Sequence, residues 1–124
     1  MPHNENRPPF WVGHIFLATD QLDLTADFLR RMGIRLVEQG DKYAIFELRG
    51  GTHLILTKVV EFTPGEADFD LMVEDLEGTH RQFVDQGLNP SPIEPGTIHS
   101  SFNIREPAGN LIRVLSSHVG SEPV

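Results

Sequence analysis

The sequence contains no cysteine, which excludes disulfide scaffolding, thiol nucleophiles and cysteine-rich zinc sites. It is also short of positive charge: 10 Lys and Arg stand against 18 Asp and Glu, for a formal net charge of −8. Those cations are scattered rather than gathered into a stripe. Nucleic acids and anionic membrane surfaces both need basic patches, so neither is an expected partner. No apolar run approaches the ~20 residues that a bilayer span requires. Met1 to Pro9 is polar and proline-bearing with no apolar centre, unlike a secretory leader. No P-loop or dinucleotide-binding glycine pattern is present, and no Ser-His-Asp arrangement can be placed. These absences leave a cytoplasmic small-molecule enzyme or binding protein as the expectation.

What is present suffices for a core. The 124 residues are 39% hydrophobic and 23% charged, which fits one domain spanning residues 1–124 and leaves no room for a second independent one. Phe10 to Ala18 is β-rich and bounded by Pro9 and Thr19-Asp20, and predicts a first strand. Asp20 or Asp23 can cap the helix after it, whose stripe is Leu24, Phe28, Leu29 and Met32 and whose stop is Gly33. Arg35 to Gln39, Tyr43 to Leu48 and Thr52 to Thr57 read as three strands separated by the turn dipeptides Gly40-Asp41 and Gly50-Gly51.

The same order then begins again. Ala67 to Val73 alternates polar and apolar residues, as a strand with two unlike faces does. Asp75 opens a second helix with a stripe of Leu76, His80, Phe83 and Val84, closed by Gly87. Asn89 to Gly96 carries three prolines and predicts at most a short strand around Ile93. Ser100 to Arg105 and Leu111 to Ser116 read as the last strands, joined by the turn Pro107-Ala108-Gly109-Asn110. Gly120 to Val124 reads as a tail. A shift of 54 positions carries His14 onto Asp68, Asp20 onto Glu74 and Gly33 onto Gly87; one of 58 carries Gly51 onto Gly109 and Ile55 onto Arg113. Internal duplication is the strongest organisational signal. The expected fold is α+β: two βαβββ modules, about 10–58 and 67–118, forming a curled mixed sheet around a cleft.

Strand order and turn residues together resemble the vicinal oxygen chelate superfamily, which includes glyoxalase I, bleomycin-resistance proteins, fosfomycin-resistance enzymes and extradiol dioxygenases. The resemblance runs from about Gly13 to Ser117. It rests on Gly13-His14 opening the first strand, Phe28-Leu29 and Met32-Gly33 ending the first helix, and Val73-Glu74-Asp75-Leu76 before the second. Its most specific piece is Glu106-Pro107-Ala108-Gly109-Asn110-Leu111-Ile112, similar to the family's turn into its last strand. The resemblance implies four metal-ligand positions, which fall here on His14, Ile55, Asp68 and Arg113. Ile55 has no donor atom, and Arg113 brings a permanent cation where a Glu is expected. A guanidinium about 4 Å from a divalent ion repels it by several kcal/mol even with moderate screening. The usual four-ligand divalent site is therefore not expected, and a shifted site of His14, His53 and Asp68 is the metal arrangement left.

Each candidate keeps two readings. His14, on the face of Phe16 and Ala18, is a general base or a metal ligand, or a half-buried relic of a lost site. Asp68 and Arg113 form an ion pair across the cleft, or Arg113 holds a ligand anion while Asp68 orients the ligand or moves a proton. Asp70 shares the face of Asp68, and His53 shares that of Ile55. His99 is a loop residue able to close over a ligand or simply solvated, and packing explains His80. Trp11, Phe16, Phe46 and Phe102 supply either an aromatic wall or core. The catalytic candidates are thus His14 and Asp68, and the substrate-binding candidates Arg113, Ile55, His53, Phe16 and Phe102.

Three functions compete on this frame: a metal-dependent lyase or dioxygenase on a shifted His/Asp site, a metal-free drug-sequestering protein, and a metal-free acid–base enzyme using His14 with Asp68. All three act on or bind a small organic molecule. The resemblance also implies a homodimer, with modules pairing within one chain or across two.

Overall fold

The computed structural model describes residues 6–117. His3, His118 and the tail from Gly120 lie outside that span. Strand β1 (His14–Thr19) leads into helix α1 (Leu22–Met32), followed by β2 (Arg35–Gln39), β3 (Tyr43–Glu47) and β4 (His53–Lys58). The second module repeats the order with β5 (Glu66–Val73), α2 (Leu76–Asp85), β6 (Ser101–Arg105) and β7 (Leu111–Ser116). The duplication read from the sequence is carried by the elements. Helices α1 and α2 start at Leu22 and Leu76, 54 apart. Strands β3 and β6 start at Tyr43 and Ser101, and β4 and β7 at His53 and Leu111, each 58 apart.

The first sheet has the order β1-β4-β3-β2 and the second β5-β7-β6. In both, the strand before the helix pairs in parallel with the last strand of its module, and the rest are antiparallel. Strands β1 and β5 lie against each other where the sheets meet without sharing a ladder. The second module has no regular counterpart of β2. Pro90, Pro92 and Pro95 remove the N–H groups that an edge strand would use, and only a bridge between Glu94 and Ser101 remains.

The first strand begins at His14 rather than Phe10. Residues 10–13 still follow the lead into β4, because Trp11 Nε1 donates to the Gly50 carbonyl (2.8 Å) and the His53 N–H to that of Gly13 (2.8 Å). The caps differ between modules. Asp75 accepts from the Gly78 N–H at 2.9 Å, as expected, whereas α1 is entered through Gln21 with no side-chain cap. Gly33 ends α1 at φ 107°, a left-handed conformation that only glycine adopts without cost. Two stripe assignments fail: Leu24 and Val84 point to solvent, and α1 buries Leu22, Thr25, Ala26, Phe28 and Leu29 instead.

Both helices cover the same side of their sheets. There Leu17, Leu54, Leu56, Ala44 and Phe46 of the first module form one buried cluster with Phe102, Ile104, Ile112 and Val114 of the second. At about 25 cal/mol per Å2 of apolar surface removed from water, this cluster dominates the favourable side of folding. A polar chain ties the modules inside it. Thr19 donates to Thr25 (2.8 Å), and Thr25 donates to the Glu106 carboxylate (2.7 Å). Glu106, only 2% exposed, also accepts from the Ala108 and Asn110 N–H groups at 2.7 and 2.8 Å. Asn110 Nδ2 in turn donates to the Ala18 carbonyl at 2.8 Å. The Glu106-to-Asn110 turn thus serves as the clasp between the halves.

Candidate functional site

Because side chains alternate along a strand, sealing one side of each sheet leaves the other side open. The register assigns that open face row by row. On the first sheet one row runs through His14, His53, Glu47 and Arg35 across β1, β4, β3 and β2. The next runs through Phe16, Ile55, Ile45 and Glu38. The polar row is internally connected. Arg35 Nη2 donates to Glu47 Oε2 at 2.8 Å, and the other carboxylate oxygen, Oε1, lies 3.7 Å from His53 Nε2. The His53 and His14 ring centroids are 5.9 Å apart at a tilt of 41°, and His14 meets Phe16 edge-on at 6.4 Å. Phe16 itself is 63% exposed, so the aromatic surface there faces solvent in the single chain.

The open face of the second sheet is charged. One row runs through Asp70, Arg113 and Asn103, with Met72 and Leu115 paired in the next. Glu66, Asp68, Asp70, Asn103, Leu111 and Arg113 line a shallow depression of about 260 Å3. Three carboxylates share the depression with one guanidinium, so the local charge is negative. The ladder between β5 and β7 shifts between Glu66 and Asp70, which places Asp70 rather than Asp68 directly opposite Arg113.

Several candidates are therefore relocated. Asp68 and Arg113 do not meet across a cleft: they stand on one sheet, and among the described residues Arg113 forms no ion pair. Phe102 does not line the open face. It is 1% exposed on the helix side of β6, edge-on to Phe83 and His80, because the strand's alternation turns Ser101 and Asn103 outward instead. Phe46 is buried by the same parity. His80 bonds the Ser91 carbonyl at 2.8 Å and is a packing residue, as expected. His99 is half-buried, with Nδ1 held 2.6 Å from the Ser116 carbonyl, rather than poised in a free loop. Sequence reasoning missed Glu47, Arg35 and Asn103. The turn after β3 carries the signal for Glu47, since counting back through the hairpin sets it opposite His53.

The donors do not fit the four-position metal centre. Ile55 and Arg113 offer it nothing, and among the described residues no three His, Asp or Glu side chains gather to hold an ion. The shifted trio of His14, His53 and Asp68 is divided in the same way, with the histidines on the first sheet and Asp68 in the depression of the second.

Comparison with solved structures finds the same fold elsewhere. Lactoylglutathione lyase from Agrobacterium tumefaciens superposes with a TM-score of 0.75 at 20% identity, covering 89% of this chain and 96% of that one. The bleomycin resistance determinant encoded on transposon Tn5 gives 0.70 at 20% identity, covering 89% and 100%. TioX from Micromonospora sp. ML1 gives 0.70 at 18% identity, with the same coverages. At these identities the likeness establishes the fold alone. No curated protein matches the sequence. The family model for the Glyoxalase/Bleomycin resistance protein/Dioxygenase superfamily matches residues 11–114, nearly the whole described span. The chain belongs to the glyoxalase/bleomycin resistance protein/dioxygenase superfamily.

Proposed function

We propose that this protein binds a small organic molecule carrying a cationic group on an apolar or aromatic body, in a cleft that a second copy of the chain completes. The supporting observation is the contrast between its two sheet faces. The helix side is sealed, whereas the open side leaves Phe16 63% and Met72 54% exposed beside Ile55 and the His14–His53 pair. Exposed aromatic and aliphatic side chains on a sheet face are a binding surface or an association surface. Here that face is a binding surface whose cleft the second copy closes at its rim: the first sheet brings the apolar wall and the second the acidic depression around Arg113. Glu66, Asp68 and Asp70 outnumber Arg113 in its depression, so the excess charge that a ligand meets is negative. Binding does not use the family's four-position metal centre, for which the donors are missing.

Sedimentation equilibrium combined with fluorescence titration against two aromatic dyes of opposite charge tests this. A dimer that binds a phenothiazinium cation saturably and an anilinonaphthalene sulfonate poorly is expected. Phe16→Ala and Asp70→Asn should each weaken the cation by about tenfold, the value of one contact of ~1.4 kcal/mol. A monomer, or a preference for the anion, would sink the proposal.

A further inference from the structure

We propose that His14 and His53 form a two-imidazole site for an imidazole-preferring divalent transition ion, with Glu47 as the outer partner of His53. The two residues are opposite each other in the parallel β1–β4 ladder, and both point from the open face. Imidazole nitrogens bind such ions at about 2.1 Å, which puts the centroids of two bound rings roughly 5 Å apart. The observed separation, 5.9 Å, is close to that.

The outer contacts match those of a ligating histidine. A metal-bound imidazole commonly directs its second ring nitrogen at a carboxylate, which fixes ring orientation and raises ligand basicity. Glu47 Oε1 lies 3.7 Å from His53 Nε2, beyond hydrogen-bond length but near enough to become that partner, which assigns the ion to Nδ1. Arg35 holds the other Glu47 oxygen at 2.8 Å, so the carboxylate is braced from behind. The whole arrangement is one row across four strands.

Nitrogen donors without thiolate or paired carboxylates favour Cu(II), Ni(II) and Zn(II) over the oxygen-seeking Mg(II) and Ca(II). Two protein donors leave the remaining coordination positions to water or to an oxygen or nitrogen of a molecule on the same face. The neighbouring row of Phe16, Ile55 and Ile45 would lie under such a molecule. Of the family's four positions only His14 is used. Neither His14 nor His53 lines the depression that holds Arg113, so the guanidinium that spoils the four-position centre stands on the other sheet.

The test uses untagged full-length protein and Cu(II) alone, and is independent of any small-molecule ligand. Calorimetry should give about one ion per chain, with pulsed electron paramagnetic resonance detecting two imidazoles. His14→Ala and His53→Ala should each weaken binding by about 100-fold and leave a single imidazole signal. Glu47→Gln should cost about tenfold while retaining both. All three positions lie on the open face, and circular dichroism checks that each variant folds. A His3→Ala/His118→Ala variant should bind like the parent. Unchanged affinity in both single-histidine variants, loss of binding in the terminal double variant, or no binding at stoichiometric copper would each overturn the site. Failure of the dye titration would leave it standing.

Discussion

The two modules agree on one face and disagree on the other. Facing the helices, equivalent positions keep apolar character: Leu54 corresponds to Ile112, Leu56 to Val114, Phe46 to Ile104 and Ala44 to Phe102, and all eight are buried. On the open face the same offsets pair unlike residues. Phe16 corresponds to Asp70, Ile55 to Arg113, Ile45 to Asn103, His53 to Leu111 and Glu47 to Arg105. Burial explains the agreement, because a polar or charged side chain placed in the shared core without partners is costly. Solvent imposes no such condition on the open face. One module has become an aromatic and imidazole surface and the other a charged one, so two copies of a single unit present complementary walls.

If this division of labour is right, stability should track the helix side and be nearly indifferent to the open side. Phe102→Ala should cost about 4 kcal/mol, through lost burial and the cavity left between α2 and the second sheet. Phe16→Ala, the same truncation on the exposed side, should stay within about 0.5 kcal/mol. Urea unfolding of both variants makes the comparison directly. Similar losses would mean that the open face is packed in solution and that the two faces are not different in kind.

A sharper form sets one charged residue against another. Glu106 is buried and accepts three hydrogen bonds, from Thr25, Ala108 and Asn110. Glu106→Ala strands these donors and opens the clasp between the modules, so about 3 kcal/mol should be lost. Asp68→Asn, in the solvent-open depression, should change stability by less than about 0.5 kcal/mol. The contrast would collapse if Asp68→Asn proved as damaging as the Glu106 change.

The same contrast accounts for what could be read in the sequence. Order of elements, the repeat and the turn from Glu106 to Asn110 are local signals, and apolar periodicity with glycine stops was enough to find them. Offsets also identified equivalent positions. They could not say which residues on different strands stand side by side, because that depends on register between segments dozens of residues apart. Asp68 is the equivalent of His14, yet the shifted β5–β7 ladder gives Arg113 Asp70 as its neighbour. Phe102 belongs to a strand whose outward parity is set by pairing of Asn103 with Arg113, and that put it in the core. The row from His14 to Arg35 crosses four strands and becomes visible only once all three ladders are aligned.

The smallest expected effect concerns the strand that the second module lacks. Tyr43, at the start of β3, donates its hydroxyl to the Glu38 carboxylate of β2, a partner with no counterpart beside Ser101. That hydrogen bond, and then the negative charge of Glu38, hold the phenol above its ordinary pKa of 10.0. A pKa raised by folding contributes stability that is fully present below the unfolded value near 10 and is lost as pH rises through the folded value. The hairpin edge should therefore be unaffected at neutral pH and loosen only in strong alkali. Tyr43 is the sole tyrosine, so ultraviolet titration reads it without interference. A midpoint above 10.0 in the native protein, moved toward 10.0 by Glu38→Gln, is expected. A native midpoint at or below 10.0 that ignores the substitution would mean that the first module's extra edge is as loose as the proline-broken edge of the second.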